Sequence, residues 1–417
     1  MGPYNLNNKD PMNDPQFTLH EGDSLNILAT LEDASIDSIV CDPPAWINFM
    51  GREWDKPDEL EAFKAIAIQC LRVLKPGSHA LIWALPRTSD LTMSALRSAG
   101  FEIRDVVSHL FLSGFPKGQN IGKAIDKAKG AKRKVTRSEV SRFTSARSYS
   151  LNVSNYGDTR PTNERGYQIK EHTEPATPEA QQWEGWNTSL KPMTEFWILA
   201  RKPLSESTVA GNVLAHGTGA LNLDACRIAG AMGPDRALSK PRRSDNAILG
   251  KGNPHINPQN PGGRWPPHFL ASHHPDCEDG EICTYPCPVF ELGLGGKYFP
   301  VFYAPKPSAS ERSLGCDGLP AGAPPASARS KPAPGRAAPL GQPRANAHPC
   351  VKAVALMSWL CRLITPPGGI VLDPFAGSGS TGVAALAEGF NFIGVERVPA
   401  YAEVARARLL YAQKVAA

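Results

Sequence analysis

The glycine-rich segment G-S-G-S-T-G at residues 377–382 constrains the fold of this chain more than any other feature. It follows a short apolar run, I-V-L-D at residues 370–373, and precedes a helical pattern over residues 380–388, which predicts a strand–loop–helix unit. The next predicted strand ends at Glu396, and 21 residues follow it. We therefore expect the other strands of the sheet to come from earlier in the sequence, in a circularly permuted order.

Strand and helix patterns alternate along the rest of the regular sequence. Helices of this length between strands are typical of a parallel sheet covered on both faces. The prediction is a doubly wound, Rossmann-like α/β sheet with helices on both faces and an inserted irregular region. The strands are predicted at residues 17–23, 37–41, 79–85, 101–111, 195–202 and 391–396, and the helices at 60–74, 89–98 and 350–363.

No membrane or export signal is visible in the sequence. No apolar run approaches ~18 residues, and the first ten residues lack a charged segment followed by an apolar one. Nine scattered cysteines do not resemble a disulfide framework. These features predict a cytoplasmic protein.

The glycine loop matches the dinucleotide fingerprint G-x-G-x-x-G at Gly377, Gly379 and Gly382. Glu396 lies 23 residues after Asp373 (396 − 373), where an acid can accept hydrogen bonds from ribose hydroxyls. A nucleoside-containing cofactor is therefore predicted. Because no lysine follows the glycines, a phosphate-clamping P-loop is disfavoured. A nicotinamide site stays open on the glycines alone.

A second unusual segment, I-V-C-D-P-P-A-W at residues 39–46, ends an apolar run with an acid and two prolines. Consecutive prolines fix two φ angles and remove two backbone donors, so this turn is rigid. The tripeptide alone is also consistent with a strand that ends in an exposed turn. In a permuted sheet, however, it shares the sheet with the glycine loop.

Together, D-P-P at residues 42–44 and D-P-F-A-G-S-G-S-T-G at 373–382 resemble the amino-group DNA methyltransferases. That family uses S-adenosylmethionine to methylate adenine N6 or cytosine N4. The order of the two motifs is similar to its β class, in which the target-recognition region lies between them. Gly22-Asp23-Ser24 and His348-Pro349-Cys350-Val351-Lys352 add further similarity.

The resemblance implies a division of the chain into seven parts. It covers a catalytic half, a returning strand and a cofactor-binding half, whereas the remaining parts are set by composition. The parts are an N-terminal tail (1–15), the catalytic half (16–115), a basic insertion (116–184), the returning strand (185–204), a target-recognition region (205–318), a Pro- and Ala-rich linker (319–344) and the cofactor-binding half (345–417).

The family's mechanism assigns the D-P-P segment to the reacting amino group. The Asp42 carboxylate and the Pro43 carbonyl would accept its two hydrogens, with Pro44 restricting the carbonyl, so that the nitrogen lone pair is localised for attack. A base in duplex DNA must first be flipped out. The family's aromatic residue after the second proline is replaced by Ala45, so Trp46 or Phe49 is predicted to stack on the base; packing of both rings in the core is equally consistent.

The resemblance also implies S-adenosylmethionine in the glycine loop. Glu396 would hold the ribose and Asp23 would hold the adenine amino group. His348 and Lys352 would close over the side of the cofactor that carries its carboxylate. The remaining residues assigned to the cofactor are Asp373, Phe375, Gly377, Ser378, Gly379, Ser380 and Thr381.

Double-stranded DNA is the expected partner, and the resemblance adds a second copy of the chain. From Lys117 to Arg147 the chain contains ten Lys or Arg and two acids. This pattern is typical of a nucleic-acid-binding surface or of an ordinary solvated face. The residues assigned to DNA are Lys117, Lys123, Lys132, Arg133, Lys134, Arg137 and Arg264.

One cluster of potential metal ligands stands apart from these motifs. It reads H-H-P-D-C-x5-C-x3-C and comprises His273, His274, Cys277, Cys283 and Cys287. Structural zinc sites usually show closer C-x2–4-C pairs. The prediction is therefore a loop with unpaired thiols, and a zinc site is the alternative.

Adenine N6 is the predicted target, because the family's adenine enzymes mostly carry Asp before Pro-Pro and its cytosine-N4 enzymes mostly carry Ser. Cytosine N4 is the first alternative. A nicotinamide-dependent oxidoreductase and a catalytically silent DNA-binding protein are two others.

Overall fold

Short apolar strands alternate with helices in the computed structural model. It describes residues 16–48, 55, 60–111, 118–140, 169–228, 245–246, 250–251, 264–273, 277, 283, 287–292, 299–302, 307–320 and 345–416. The strands in these ranges are β1 (Phe17–Glu21), β2 (Ile36–Cys41), β3 (Leu74–Ala84), β4 (Glu102–Leu110), β5 (Lys134–Val140), β6 (Ile169–Glu174), β7 (Thr194–Arg201), β8 (Asp245–Asn246), β9 (Gly250–Lys251), β10 (Phe269–Ser272), β11 (Val301–Phe302), β12 (Ile370–Asp373) and β13 (Asn391–Glu396).

Helices follow most of these strands, and one turn of 3₁₀ helix covers Asp224–Cys226. Within the described ranges no helix is long and apolar enough to cross a membrane. The helices are α1 (Ser24–Leu28), α2 (Leu60–Val73), α3 (Ser89–Ala99), α4 (Ile121–Ala128), α5 (Pro178–Gln182), α6 (Val209–His216), α7 (Pro288–Glu291), α8 (Ala309–Ser313), α9 (Val354–Ile364), α10 (Ser380–Ala387) and α11 (Pro399–Ala416).

Nine of the described strands form one sheet, in the order β1-β13-β12-β2-β3-β7-β4-β10-β11. Neighbouring strands are parallel except at β7, which runs antiparallel to both β3 and β4. The sequence predicted a parallel sheet and gave no direction for this returning strand. β7 differs because the chain re-enters the sheet beside β4 at the end where β4 left it.

Helices cover both faces of the sheet. On one face α9, α10 and α11 pack around Leu360, Ala384 and Leu409; on the other, α2 and α3 pack around Phe63 and Leu96. Strand β2 is buried along its whole length, as expected of a central strand between two helical layers. The predicted permuted, doubly wound α/β fold is confirmed.

The direction of winding reverses between β12 and β2. The chain leaves β12 for β13 on one side and leaves β2 for β3 on the other, while β12 and β2 pair in parallel through Leu372 and Ile39. Open α/β sheets bind ligands in the crevice at the carboxyl ends of strands at such a reversal. Asp42 and Asp373 lie at these ends.

Part of the predicted target-recognition region packs on this sheet. Strand β10 extends it beside β4, and Asn212 on α6 donates from Nδ2 to the Pro76 carbonyl at 2.8 Å. In the basic insertion, β5 and β6 form a separate two-stranded sheet. The predicted N-terminal tail (1–15) lies outside the described residues, and of the predicted linker only residues 319 and 320 are described.

Candidate active site

A cavity of about 500 Å³ opens at the carboxyl ends of β2 and β12. Volumes of about 300–1,000 Å³ are usual for sites that bind small molecules. Every residue that the sequence assigned to the base or the cofactor lines this cavity, except Gly379, which contacts α11, and Phe49, which lies outside the described residues. The fold therefore brings the D-P-P segment and the glycine loop to one site.

The glycine loop has a backbone that other residues rarely adopt. Gly377 and Gly379 have φ values of 54° and 75°. A Cβ at Gly377 would lie 2.9 Å from Nε2 of His348, and one at Gly379 would lie 3.2 Å from Cα of Ala405. Glycine is required here by backbone conformation and by close approach of neighbouring groups.

Asp373 and Glu396 hold the two ends of this loop. Asp373 accepts from the Phe375 amide at 2.9 Å and from the Thr381 hydroxyl at 2.6 Å, and burial raises its pKa to about 7 in spite of these bonds. Glu396 accepts from the Gly377 amide at 2.8 Å and from the Val398 amide at 2.7 Å. Burial also raises the pKa of Glu396.

Each carboxylate oxygen of Glu396 accepts one of these amides. Because a carboxylate oxygen has two lone pairs, both oxygens can accept a further donor such as a hydroxyl group. Asp23 is used differently: it caps α1, and its Oδ1 accepts from the amides of Leu25 at 3.0 Å and Asn26 at 3.4 Å. Both acids line the cavity.

Asp42 forms an ion pair with a lysine that lies 310 residues away in the sequence. Lys352 Nζ lies 2.6 Å from Asp42 Oδ2 and 4.4 Å from the centre of the Trp83 ring. Burial raises the pKa of Asp42, and the Lys352 charge opposes that rise. Burial works against the ammonium as well, but Asp42 and Glu195 outweigh it and raise the pKa of Lys352.

A polar network that no sequence motif indicated continues from this pair. Glu195 on β7 accepts from Trp83 Nε1 at 2.5 Å, and its other oxygen lies 3.1 Å from Nδ1 of His109. Nε2 of His109 lies 2.7 Å from the Ser272 hydroxyl on β10. Although burial opposes it, the charge of Lys352 and the bond to His109 lower the pKa of Glu195 to about 2. The sequence signal for Glu195 was its place as an acidic residue at the start of the apolar strand predicted at residues 195–202.

The segment after the two prolines is fixed by Asp55, which sequence reasoning missed. Asp55 is buried and accepts from the amides of Ala45 at 2.5 Å, Trp46 at 2.9 Å and Ile47 at 3.3 Å. Trp46 has a φ of 59°, and its ring packs on Phe63 at 5.3 Å between centroids. Trp46 therefore belongs to the apolar layer while it lines the cavity, and its stacking on a base stays a prediction.

Residues behind the cavity brace its cofactor side. Buried Arg408 donates to the Ser378 carbonyl at 2.6 Å and to the Ser380 hydroxyl at 3.1 Å. Glu311 on α8 accepts from the Val354 amide at 2.7 Å, and Arg312 donates to the carbonyl of His348. These long-range contacts have no local sequence signature.

The residues assigned to DNA occupy different environments. Lys123, on α4, is exposed, as are Lys132, Lys134 and Arg137, whereas Lys117 lies outside the described residues. Arg133 donates to Asp126 and to Glu184, each at 2.9 Å, so its charge is compensated within the protein. Arg264 forms an antiparallel bridge with Ile228.

Comparison with known proteins gives a match over most of the chain. A family model described as DNA methylase matches residues 36–407. YubD of Escherichia coli (strain K12) is 46% identical over 67 residues, which cover 16% of this chain and 30% of YubD. The DNA adenine methyltransferase YhdJ of the same organism is 45% identical over 62 residues, covering 15% of this chain and 21% of YhdJ. The chain thus spans less than a third of the length of these relatives.

Solved structures also align with the chain. A complex of M1.HpyAVI with SAM aligns with a TM-score of 0.41 at 15% identity, covering 94% of this chain and 99% of that one. The cytosine-N4-specific PvuII DNA methyltransferase aligns with a TM-score of 0.42 at 13% identity, covering 95% and 86%.

Proposed function

We propose that this chain, which belongs to the N6/N4 DNA methylase family, transfers a methyl group from S-adenosylmethionine to N6 of a flipped-out adenine in double-stranded DNA. S-adenosylmethionine is the methyl donor of this family, as the sequence predicted. The target base, the flipping step and the role of each residue are parts of the proposal.

One observation carries the proposal: Asp42 and Pro43 line the same cavity as the glycine loop. The two motifs lie at the carboxyl ends of neighbouring parallel strands, where a methyl donor and an acceptor base can meet.

The residues around the glycine loop fit the methyl donor. Its glycines leave the backbone open to a ligand beside His348, and Glu396 retains lone pairs for ribose hydroxyls. When bound, S-adenosylmethionine supplies an electrophilic methyl group. Phe375, Ser378 and Asp23 line the space that it would occupy.

Asp42 and the Pro43 carbonyl act as acceptors for the amino group of the base. Accepting both hydrogens favours a pyramidal nitrogen with a localised lone pair, and this is catalysis by positioning and electrostatics. The Lys352 bond uses Oδ2 of Asp42, so Oδ1 can face the base. The Lys352 charge opposes the rise in the pKa of Asp42 that burial causes.

Adenine is favoured over cytosine by two observations. The acid before Pro-Pro is Asp42, the residue that the family's adenine enzymes mostly carry. In addition, YhdJ, whose name describes an adenine methyltransferase, is 45% identical to this chain over 62 residues. Cytosine N4 is the alternative that the same site chemistry permits.

The test is single-molecule sequencing of DNA from cells that express the full chain or its Asp42→Ala variant. We expect N6-methyladenine at a defined sequence in the first DNA and none above background in the second. N4-methylcytosine at such a sequence would show that the target is cytosine N4, the alternative. Identical modification in both DNAs would contradict the assignment of Asp42.

Calorimetry with S-adenosylhomocysteine and with NAD separates the other classes. The proposal requires that the wild-type chain bind the first ligand and not the second. An oxidoreductase would show the reverse, and a silent DNA-binding protein would leave DNA unmodified in the sequencing experiment.

A further inference from the structure

Four potential metal ligands converge beyond the end of β10, away from the glycine loop. His273, Cys277, Cys283 and Cys287 each offer one ligand atom, and these atoms all lie within 4.8 Å of one another. Nδ1 of His273 lies 3.2 Å from Sγ of Cys283 and 3.5 Å from Sγ of Cys287. His274, the other member of the sequence cluster, lies outside the described residues.

These separations match the edges of a tetrahedral zinc site. Zn–S bonds of about 2.3 Å and Zn–N bonds of about 2.0–2.1 Å place nitrogen and sulfur ligands about 3.5 Å apart, and two sulfurs about 3.8 Å apart. The two measured nitrogen–sulfur separations lie within about 0.4 Å of that edge. Small side-chain movements would let all four atoms contact one ion.

Hydrogen bonding among neutral thiols explains the cluster less well. The Nδ1 of a neutral imidazole either accepts one hydrogen bond through its lone pair or donates its single N–H, whereas two sulfurs lie within 3.5 Å of it. A disulfide would join two of the three sulfurs and leave the third beside it. Neither arrangement requires three thiols and an imidazole nitrogen to meet at one point.

We propose that His273, Cys277, Cys283 and Cys287 bind one Zn²⁺ in a closed Cys₃His site. Thiolate and imidazole ligands in tetrahedral geometry select zinc over the hard cations, which prefer oxygen. Four protein ligands leave no open position for water or substrate, so the ion is structural. This proposal replaces the sequence-based expectation of unpaired thiols, which rested on spacing alone.

The described elements around the site are short. β10 and β11 have four and two residues, and α7, which begins directly after Cys287, has four. His273 and Cys287 are buried, and the His273 amide donates to the Phe302 carbonyl at 2.7 Å. A metal that ties these pieces together supplies folding free energy that short elements cannot.

The zinc site also borders the polar network of the cavity. His273 directly follows Ser272, whose hydroxyl lies 2.7 Å from Nε2 of His109, and Nδ1 of His109 lies 3.1 Å from Glu195. Fixing the end of β10 therefore fixes the partner of His109. The ion would thus help to hold Ser272 in place beside His109. The proposal does not depend on which base is methylated.

Metal analysis of the full chain, purified without added chelator, tests the proposal. Mass spectrometry of the metal content should give one zinc per chain for the wild type. Cys283→Ser is the chosen variant because Cys283 is only half-buried, and it should lose the zinc. Cys316→Ser removes a buried thiol elsewhere and should keep it.

A second measurement on the wild type stays informative if Cys283→Ser fails to fold. Replacement of zinc by Co²⁺ should give the thiolate charge-transfer absorption and the intense ligand-field bands of a tetrahedral site. A wild-type chain without zinc and without these bands would overturn the proposal. So would full zinc retention in Cys283→Ser, or an intact mass that shows a disulfide among the three cysteines.

Discussion

The Asp42 carboxylate lies where burial favours its protonated form. Lys352 opposes this effect, since its ammonium lies 2.6 Å from Asp42 Oδ2. Glu195, on the other side, helps to keep Lys352 protonated. At the scale of single residues, the acceptor function of Asp42 thus depends on a cation supplied by the other half of the chain.

This dependence predicts the pH response of a Lys352→Gln variant. Ionised Asp42 accepts hydrogen bonds above its pKa and loses this function as the pH falls through it. Removing Lys352 raises that pKa further, so the acidic limb of the rate profile should move to higher pH. The rate at neutral pH should fall by about 10²-fold, the scale of a lost electrostatic contact in a transition state.

The measurement is transfer of a labelled methyl group to duplex DNA across a pH series. Lys352→Arg keeps the charge and should keep the acidic limb near that of the wild type. Calorimetry with S-adenosylhomocysteine separates a loss of cofactor affinity from a loss of rate. An acidic limb at the same pH in wild type and Lys352→Gln would contradict the role given to Lys352.

The loop between β12 and α10 shows how one element depends on backbone conformation. Its two left-handed glycines turn the chain tightly enough for Asp373 to bind Thr381 and for Glu396 to bind the Gly377 amide. Arg408 supports the same loop from α11 through the Ser378 carbonyl. Contacts within the protein therefore hold the loop in this conformation.

Two alanine substitutions separate backbone strain from contact with the cavity. Gly377 and Gly389 have φ values of 54° and 82°, so alanine at either should cost about 1–2 kcal/mol of folding stability. Only at Gly377 would the new Cβ meet His348, at 2.9 Å; at Gly389 nothing lies within 4 Å.

Gly377→Ala should therefore weaken S-adenosylhomocysteine binding by about tenfold or more, equivalent to about 1.4 kcal/mol. Gly389→Ala should leave this affinity within about twofold of the wild type. Calorimetry gives the affinities, and urea denaturation gives the stabilities. Equal loss of affinity in the two variants would show that strain alone, and not the approach to His348, is responsible.

The whole molecule joins two distant parts of the chain at one cavity and places part of the basic run, residues 117–147, on and next to a separate small sheet. In that run, Lys132 and Lys134 are exposed, whereas the charge of Arg133 between them is compensated by Asp126 and Glu184. Neighbouring positions of this run therefore differ in whether their charge is compensated within the protein.

DNA binding measured at different salt concentrations tests whether Lys132 and Lys134 contact phosphates. If Lys132 and Lys134 each contact a phosphate, changing both to Gln should reduce the slope of log K against log salt by about 1.8, which is about 0.9 per contact. Binding should weaken on all sequences alike, because phosphate contacts carry no base specificity. Lys414→Gln, an exposed lysine on α11, is the control and should leave the slope unchanged.

Arg133→Gln should lower the free energy of unfolding in urea instead, because it leaves Asp126 buried without its cation. If Lys414→Gln reduces the slope as much as the double variant does, the basic run has no special role in DNA binding.

Local patterns determined much of this fold. The strands predicted at residues 370–373 and 391–396 coincide with β12 and β13, and the glycine loop and Asp-Pro-Pro turn were both recognised. Their signals, apolar runs and residues with restricted or permissive φ angles, act within a few positions of the chain. The permuted order was also predicted, and the order of the strands in the sheet confirms it.

Contacts between distant residues were decided only by the tertiary structure. The pairing of Asp42 with Lys352, the bracing of Ser378 by Arg408 and the antiparallel direction of β7 depend on which elements become neighbours. The same holds for the convergence of His273 with three cysteines. Sequence spacing limits how far apart two residues can lie, but closing the chain around a core selects which side chains meet and how their charges balance.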